Sequence, residues 1–563
     1  MRVKITSFII FSFLSLSLHA QSGVVSIDSI FFNKDIAKKI IVINKDVGSL
    51  NALFPGIKEG IHSENYSLNL TPPLSEFEIG IAYQVTDLQN EKYDLYFSQL
   101  PIVSILSQNT IVDEPRVYAQ FSMCENNGNY TQKLIGVEYS GGWTQSLAKK
   151  SLRIEFWKDT IGAETENISL LEMRSDDDWN LQAMYNEPLR IRSKLNFDLW
   201  NKIDTLYYSV DEPQAKNGVS QEYVELFVNK EYRGVYALRE RLDRKQLKLK
   251  KFKNQEIRGE LYKGVAWGAS TFTSLVPYNN NNELWGGFEY IHPKEEIDWS
   301  KLYEFVDFVI NEDSLYFYQN YQDEFNTDNA INYFIFLNLL RATDNTGKNT
   351  FIARYNKDEP YFLSPWDLDG TFGIKWNGAQ ENITNDILTN GLYNRLILDY
   401  QQNGFVDKLV KRWNLLRQNT ITSENILEVF YDQYNYLYLN GVYQRELIAW
   451  PDSSSFLDLN NMDYTSTWLQ NRFIYLDGFF NKLELLVNKQ MEKTPLAIFP
   501  NPTHNNVTIR GSEMGEYLLY NSLGQEVFKG QKQVVSHEVD ISSLSNGFYL
   551  LWINGETHQL IVQ

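Results

Sequence analysis

Cysteine is almost absent from this chain of 563 residues: Cys124 stands alone. No intrachain disulfide can form, and a zinc site built from thiolates is excluded. Histidine is also scarce, and the six His are scattered without the H-x-x-x-H spacing that sets two imidazoles on one helical face. Positive charge is in short supply, with 52 Lys and Arg against 71 Asp and Glu and a formal net charge of −19. That balance argues against a general binder of nucleic acid or of anionic membranes. It leaves room for a nucleotide, because a local site with a divalent cation can hold phosphate on an acidic protein. Beyond Leu18 no apolar run is long enough to span a bilayer.

The first residues themselves are apolar. Arg2 and Lys4 precede an apolar, Ser-containing run from Ile5 to Leu18, and Ala20 is a suitable residue before a cut. This order predicts a signal peptide over residues 1–20 and an exported mature protein without a transmembrane helix. The remaining length is too great for one core and predicts several domains. With 43% hydrophobic and 14% aromatic residues, including 35 Tyr and 33 Phe, β-rich modules and large aromatic clusters are expected.

Along the chain, short alternating runs such as VVSIDSIFF, IIVINKD and FEIGIAYQV predict an antiparallel β-domain over residues 24–98, most simply a sandwich. A second unit begins near Leu100, with strands at VYAQFSM, KLIGVEYS and KKSLRIEFW. Between the last two lies Ser140-Gly141-Gly142-Trp143, a hairpin-like turn ahead of Lys149, Lys150 and Arg153. The stretch DDDWNLQAMYNEPLRIRSKLNFDLWNKI has helical spacing with Arg190, Arg192 and Lys194 off its apolar face, and YVELFVNKEYRGVYALRERLD alternates as a hairpin around Asn229-Lys230-Glu231. From Trp299 helical periods take over; AINYFIFLNLL, apolar nearly all round, predicts a buried central helix capped by Asp328. Residues 383–487 read as helices, residues 488–495 as a polar linker, and residues 496–563 as a small β-sandwich of five or six strands.

The chemically densest stretch is residues 344–373, where Asp344, Asn349, Asp367 and Asp369 are separated by apolar runs. Thr350 to Tyr355 reads as a strand, Asn356 to Pro360 as a turn, and Tyr361 to Trp366 as the returning strand. A hairpin of this length brings Asp367 back beside Asn349 and the loop carrying Asp344. Carboxylates converging there repel by about 4 kcal/mol per pair at ~4 Å and an effective dielectric near 20 unless a cation or proton compensates. A hard divalent ion is one compensation; a solvated turn with well-spread charges is the plainer alternative. An EF-hand starting at Asp367 is excluded, since Phe372 and Gly378 occupy the places that require Gly and Glu.

The pieces LPIVSI, KKSLRIEF, WNLQAMYNEPLRIRSKL, VELFVNKEYRGVYALRERLD, GELYKG, DNTGKN and PWDLDGTFG occur in an order that resembles the CotH-type kinases, named for a spore coat protein. The resemblance implies an atypical protein-kinase-like domain over residues 99–487, a β-rich lobe and a helical lobe enclosing ATP, and hence a multidomain α+β protein. Protein kinases place a metal-binding Asn five residues after the catalytic Asp and a metal-binding Asp later still. On this template Asp344 receives or orients the proton of the attacking hydroxyl. Asn349 and Asp367 hold Mg2+ or Mn2+, and Asp369 is a second ligand or a brace. Lys150 and Lys263 are candidates for the phosphates, Glu240 for an ion pair with one of these lysines, and Trp366 for stacking on adenine. The implied activity is transfer of the ATP γ-phosphoryl group to protein Ser or Thr hydroxyls. Where the family commonly has Arg-Gly before its KKS strand, this chain has Tyr139-Ser140-Gly141-Gly142. That departure, with an extracellular destination poor in ATP, sustains the alternative of a kinase-fold surface protein that binds or scaffolds with little turnover.

Phe499-Pro500-Asn501-Pro502, Tyr520 to Gln525, Asp540 to Leu544 and Gly547-Phe548-Tyr549 resemble the C-terminal sorting domain of the type IX secretion system. The resemblance implies the secretion machinery as a partner and passage through the periplasm to the cell surface or medium.

Overall fold

A computed structural model describes residues 23–266, 272–493, 496–511, 514–553 and 555–563. The expected signal peptide, residues 1–20, lies outside the described residues.

The first seven strands, from Val24–Ser26 to Lys92–Ser98, join in one sheet rather than two facing ones. Two of its ladders are parallel, contrary to the antiparallel expectation: Val24–Ser26 runs with Lys58–His62, and Ile40–Asn44 with Lys92–Ser98. Ile40–Asn44 is buried at every position, and its unbroken apolar run suits a parallel central strand covered on both faces.

The next seven strands close into a barrel: Ile102–Leu106, Val117–Cys124, Tyr130–Ser140, Ser151–Trp157, Asp178–Gln182, Gln221–Val228 and Glu231–Arg239. Period-2 alternation sends Ile154, Trp179, Leu226 and Leu238 into its filling and leaves Arg153, Asn180, Gln221 and Arg239 on the outer face. The hairpin around Asn229-Lys230 forms as expected, and both turn residues have positive φ (52° and 65°), as its tight twist requires. Asp178–Gln182 corrects the helical expectation for WNLQ. The helix there is Arg192–Ile203, and Arg190 and Arg192 are fully buried rather than on open faces. Both guanidinium groups have partners inside the fold: Arg190 meets Glu446, and Arg192 donates to Pro188 O, Thr371 O and Thr465 Oγ1.

A five-stranded sheet follows, ordered Leu284–Trp285, Phe288–His292, Glu260–Gly264, Thr350–Arg354, Tyr361–Pro365. Against it packs the helix Thr327–Leu340, buried at every residue from Asn329 to Leu340 as its all-round apolarity requires. Its cap is Asn326, whose side chain accepts from Asn329 N; Asp328 sits instead in the first turn, where negative charge favours the helix dipole. The long helix Asn460–Lys493 continues through residues 488–493, which are therefore helical rather than linker. The last segment forms a three-stranded and a four-stranded sheet over Val507, Ile509, Leu519 and Leu551, one or two strands more than expected. Among the described residues no helix is long and apolar enough to cross a membrane.

Candidate active site

The hairpin Thr350–Arg354 and Tyr361–Pro365 forms in the expected register, with Thr350 opposite Pro365. At its open end Trp366 N donates to Asn349 O (2.9 Å), and Asn345 Nδ2 ties Asn349 O (3.0 Å) to Trp366 O (2.7 Å). Asn349 and Asp367 both take left-handed backbone conformations, φ 58° and 56°, which Asn and Asp tolerate better than other side chains. Asn349 Nδ2 comes within 3.5 Å of Asp367 Oδ2. The central helix ends at Arg341 (φ 50°), and a single 3-10 turn, Thr343–Asn345, then presents Asp344. The loop after Asp367 is held from below, where Asn196 Nδ2 donates to Leu368 O and Thr371 Oγ1, both at 2.8 Å.

The hairpin end opens on one cavity of about 880 Å³. Asp344, Asn349, Asp367, Asp369, Lys263 and Trp366, all expected at the site, are on its wall. Lys263 arrives on the neighbouring strand Glu260–Gly264, opposite Phe351. Gly141, at φ +96° a conformation that favours glycine, opens the turn that brings Trp143 edge-on to Trp376 at 4.7 Å across the cavity wall.

Two expected residues are elsewhere. Lys150 Nζ turns to the carbonyls of Gln145 and Leu147. The Glu240 carboxylate accepts from Arg174 N (2.9 Å), Ser220 N (2.7 Å) and Gln246 Nε2 (2.9 Å), so it braces loops and pairs with neither Lys150 nor Lys263. Besides Lys263, the basic residues that reach the cavity are Arg153, Arg239, Arg241, Lys294 and Lys348. Strand alternation in SLRIEFW puts Arg153 on the outer face; which strand lies beside it was not readable from one segment. Trp366 is engaged on one face, where the Arg239 guanidinium lies 4.3 Å from its ring centre.

Burial pushes the Asp344 carboxyl above its ordinary range; Lys348 draws it partly back and Asp367 adds to the rise. Asp369 is raised well above the usual range by burial first, then by Asp367, Glu187 and Asp344. Arg239 is held down by burial, against the pull of Asp367 and Asp369. Among the described residues no three His, Cys, Asp or Glu side chains cluster as a closed metal cage. Apart from Asp344, the oxygen donors at the hairpin end are the Asp367 and Asp369 carboxylates and the Asn349 amide. That set is too small for a protein-only calcium site, but it suits Mg2+, which keeps several waters and takes one or two carboxylates plus phosphate oxygens.

The molecule is thus a mixed α+β protein whose acidic hairpin end faces arginines of a β-barrel across one cavity. Residues 137–476, more than half of the chain, match the family described as CotH kinase protein, and the chain belongs to that family. Residues 497–563 match the secretion system C-terminal sorting domain, which marks the protein for type IX export to the cell surface or extracellular space. A comparison with curated proteins finds no match.

Proposed function

We propose that this chain is an exported atypical kinase that transfers the γ-phosphoryl group of ATP to protein Ser or Thr hydroxyls with Mg2+ or Mn2+. The observation that carries this reading is the single cavity in which Asp344, Asn349, Asp367 and Asp369 face Lys263 and Arg239. On this reading the barrel serves as the β-rich lobe and the helices around Thr327–Leu340 as the other. Asp344 stands on a short turn at the cavity wall, and its raised pKa makes it a better proton acceptor for an incoming hydroxyl. Asn349 and Asp367 would hold the ion, with Asp369 as a further ligand. A divalent ion there supplies positive charge against the charge developing on the transferred group. Lys263 faces the same space and would orient phosphate oxygens. Radiolabel transfer from ATP, with Mg2+ or Mn2+, tests this reading. Asp344→Ala and Asp367→Ala are expected to lose roughly a hundredfold or more of the wild-type rate, and equal incorporation by all three proteins would overturn it.

A second reading, a kinase-fold binding or scaffold protein, is favoured by one observation. Lys150 and Glu240, the candidates for a phosphate-orienting ion pair, are both committed to backbone partners. Calorimetry separates the two readings, since tight Mg-ATP binding at the cavity counts against a purely scaffolding role.

A further inference from the structure

The barrel presents a polar row to the cavity side of the molecule. Glu138, Arg153, Asn180, Arg239 and Gln221 stand directly opposite one another across five adjoining strands. Val137, Leu152, Ile154, Trp179, Leu181 and Leu238, the neighbours of Glu138, Arg153, Asn180 and Arg239, point into the apolar filling, so strand alternation puts these four on the outer face, and Gln221 joins them by pairing with Arg239. Three of its members, Arg153, Asn180 and Arg239, line the cavity.

Arg239 is the unusual one. It is only 5% exposed, yet its Nε and Nη1 find no acceptor among the described residues. Arg153 Nε and both amide atoms of Gln221 are likewise buried without partners. Buried guanidinium donors left unused are costly, and two arginines that carry them along one cavity-lining face point to an acceptor supplied from outside the chain. The plane of the Arg239 fork is already set, because its guanidinium rests on the Trp366 ring. A preset planar fork suits two oxygens of one phosphate.

We propose that Arg239, assisted by Arg153 in the same row, is the phosphate-binding wall of the cavity and holds the phosphate chain opposite Asp367 and Asp369. The assignment rests on the kinase reading only for the identity of the compound that carries the phosphates. It gives the cavity an arginine fork in the role that Lys150 was expected to fill.

The test is calorimetric titration of the full chain with inorganic tripolyphosphate, in Mg2+ and again in EDTA, using wild type, Arg239→Gln, Arg239→Lys and Arg153→Gln. Arg239→Gln is expected to weaken tripolyphosphate binding roughly tenfold to a hundredfold, as loss of a charge-assisted pair does. Arg239→Lys should recover only part of this, because an ammonium lacks the fork, and Arg153→Gln should lose less. Mn2+ affinity, read by electron paramagnetic resonance, should not fall in Arg239→Gln, which separates loss of a phosphate contact from damage to the acidic side. Wild type that ignores tripolyphosphate in both buffers, or an Arg239→Gln protein that binds it equally well, overturns the proposal. If circular dichroism shows Arg239→Gln unfolded, unchanged affinity in Arg153→Gln overturns it instead. Absent label transfer with tripolyphosphate binding intact would sink the kinase reading and leave this one standing.

Discussion

Asn349 and Asp367 close the same hairpin end from opposite strands, with Asn349 Nδ2 3.5 Å from Asp367 Oδ2 and both backbones in the left-handed region. The spacing is a product of backbone geometry as much as of side-chain chemistry. A β-branched residue at position 349 cannot adopt φ 58° without strain, so Asn349→Val is expected to cost about 1–2 kcal/mol in urea unfolding. Asn349→Gly should relieve the backbone while deleting the amide. It is expected to unfold near the wild-type midpoint yet bind Mn2+ more weakly. Equal losses of stability in both variants would show that the backbone conformation is not what selects Asn here.

Asp369 carries a stability cost that pH exposes. Its folded pKa lies well above the unfolded value, through burial and then through Asp367, Glu187 and Asp344. Between those two values the folded state holds more protons than the unfolded one, so stability falls as pH rises through that window. The neutral variant Asp369→Asn is therefore expected to melt at a higher temperature than wild type at pH 7. The gap should close as pH drops below the unfolded carboxylate value of about 3.9. Mg2+ should narrow it from the other side, raising the wild-type melting temperature more than that of Asp369→Asn. Differential scanning calorimetry across pH, with and without Mg2+, checks both directions. A wild type more stable than Asp369→Asn at pH 7 without metal would contradict the burial account.

What sequence could and could not disclose follows a physical divide between local and distant contacts. The hairpin from Thr350 to Pro365 and the helix Thr327–Leu340 were legible because each is specified by its own residues, an alternation and an all-round apolar run. Asp344, Asn349 and Asp367 were legible with them, since a hairpin of known length fixes where its ends meet. Arg239 was not, because its place beside Asn180 and Arg153 depends on pairing strands far apart in sequence. Lys150 misled for a related reason. It stands one residue ahead of the strand Ser151–Trp157, where the local turn, not the barrel face, sets its direction. Arg190 and Arg192 were read as exposed because arginine usually is, and only the folded chain supplies Glu446 and Thr465 as buried partners.

The ion pair of Glu225 with Arg445 is the contact whose loss should be felt furthest. Both side chains are fully buried, with Arg445 Nη2 2.6 Å from Glu225 Oε1 and Nε 2.8 Å from Oε2. Ser98 at the end of the first sheet and Tyr232 on the barrel also donate to this carboxylate, each at 2.5 Å. One carboxylate thus joins the first sheet, the barrel and the helix Val442–Ala449. Burial alone would raise its pKa, but the charge and hydrogen bonds of Arg445, helped by Ser98 and Tyr232, more than reverse that and hold it below the ordinary value. Arg445→Met leaves the carboxylate buried and unpaired, at an expected cost of roughly 3–5 kcal/mol. Replacing both partners, Glu225→Gln with Arg445→Met, removes the stranded charge and should cost less than the single Arg445 change. Urea unfolding of the two singles and the double measures this directly. A double variant that costs as much as the sum of the singles would show that packing around Arg445, not its charge, holds the three parts together.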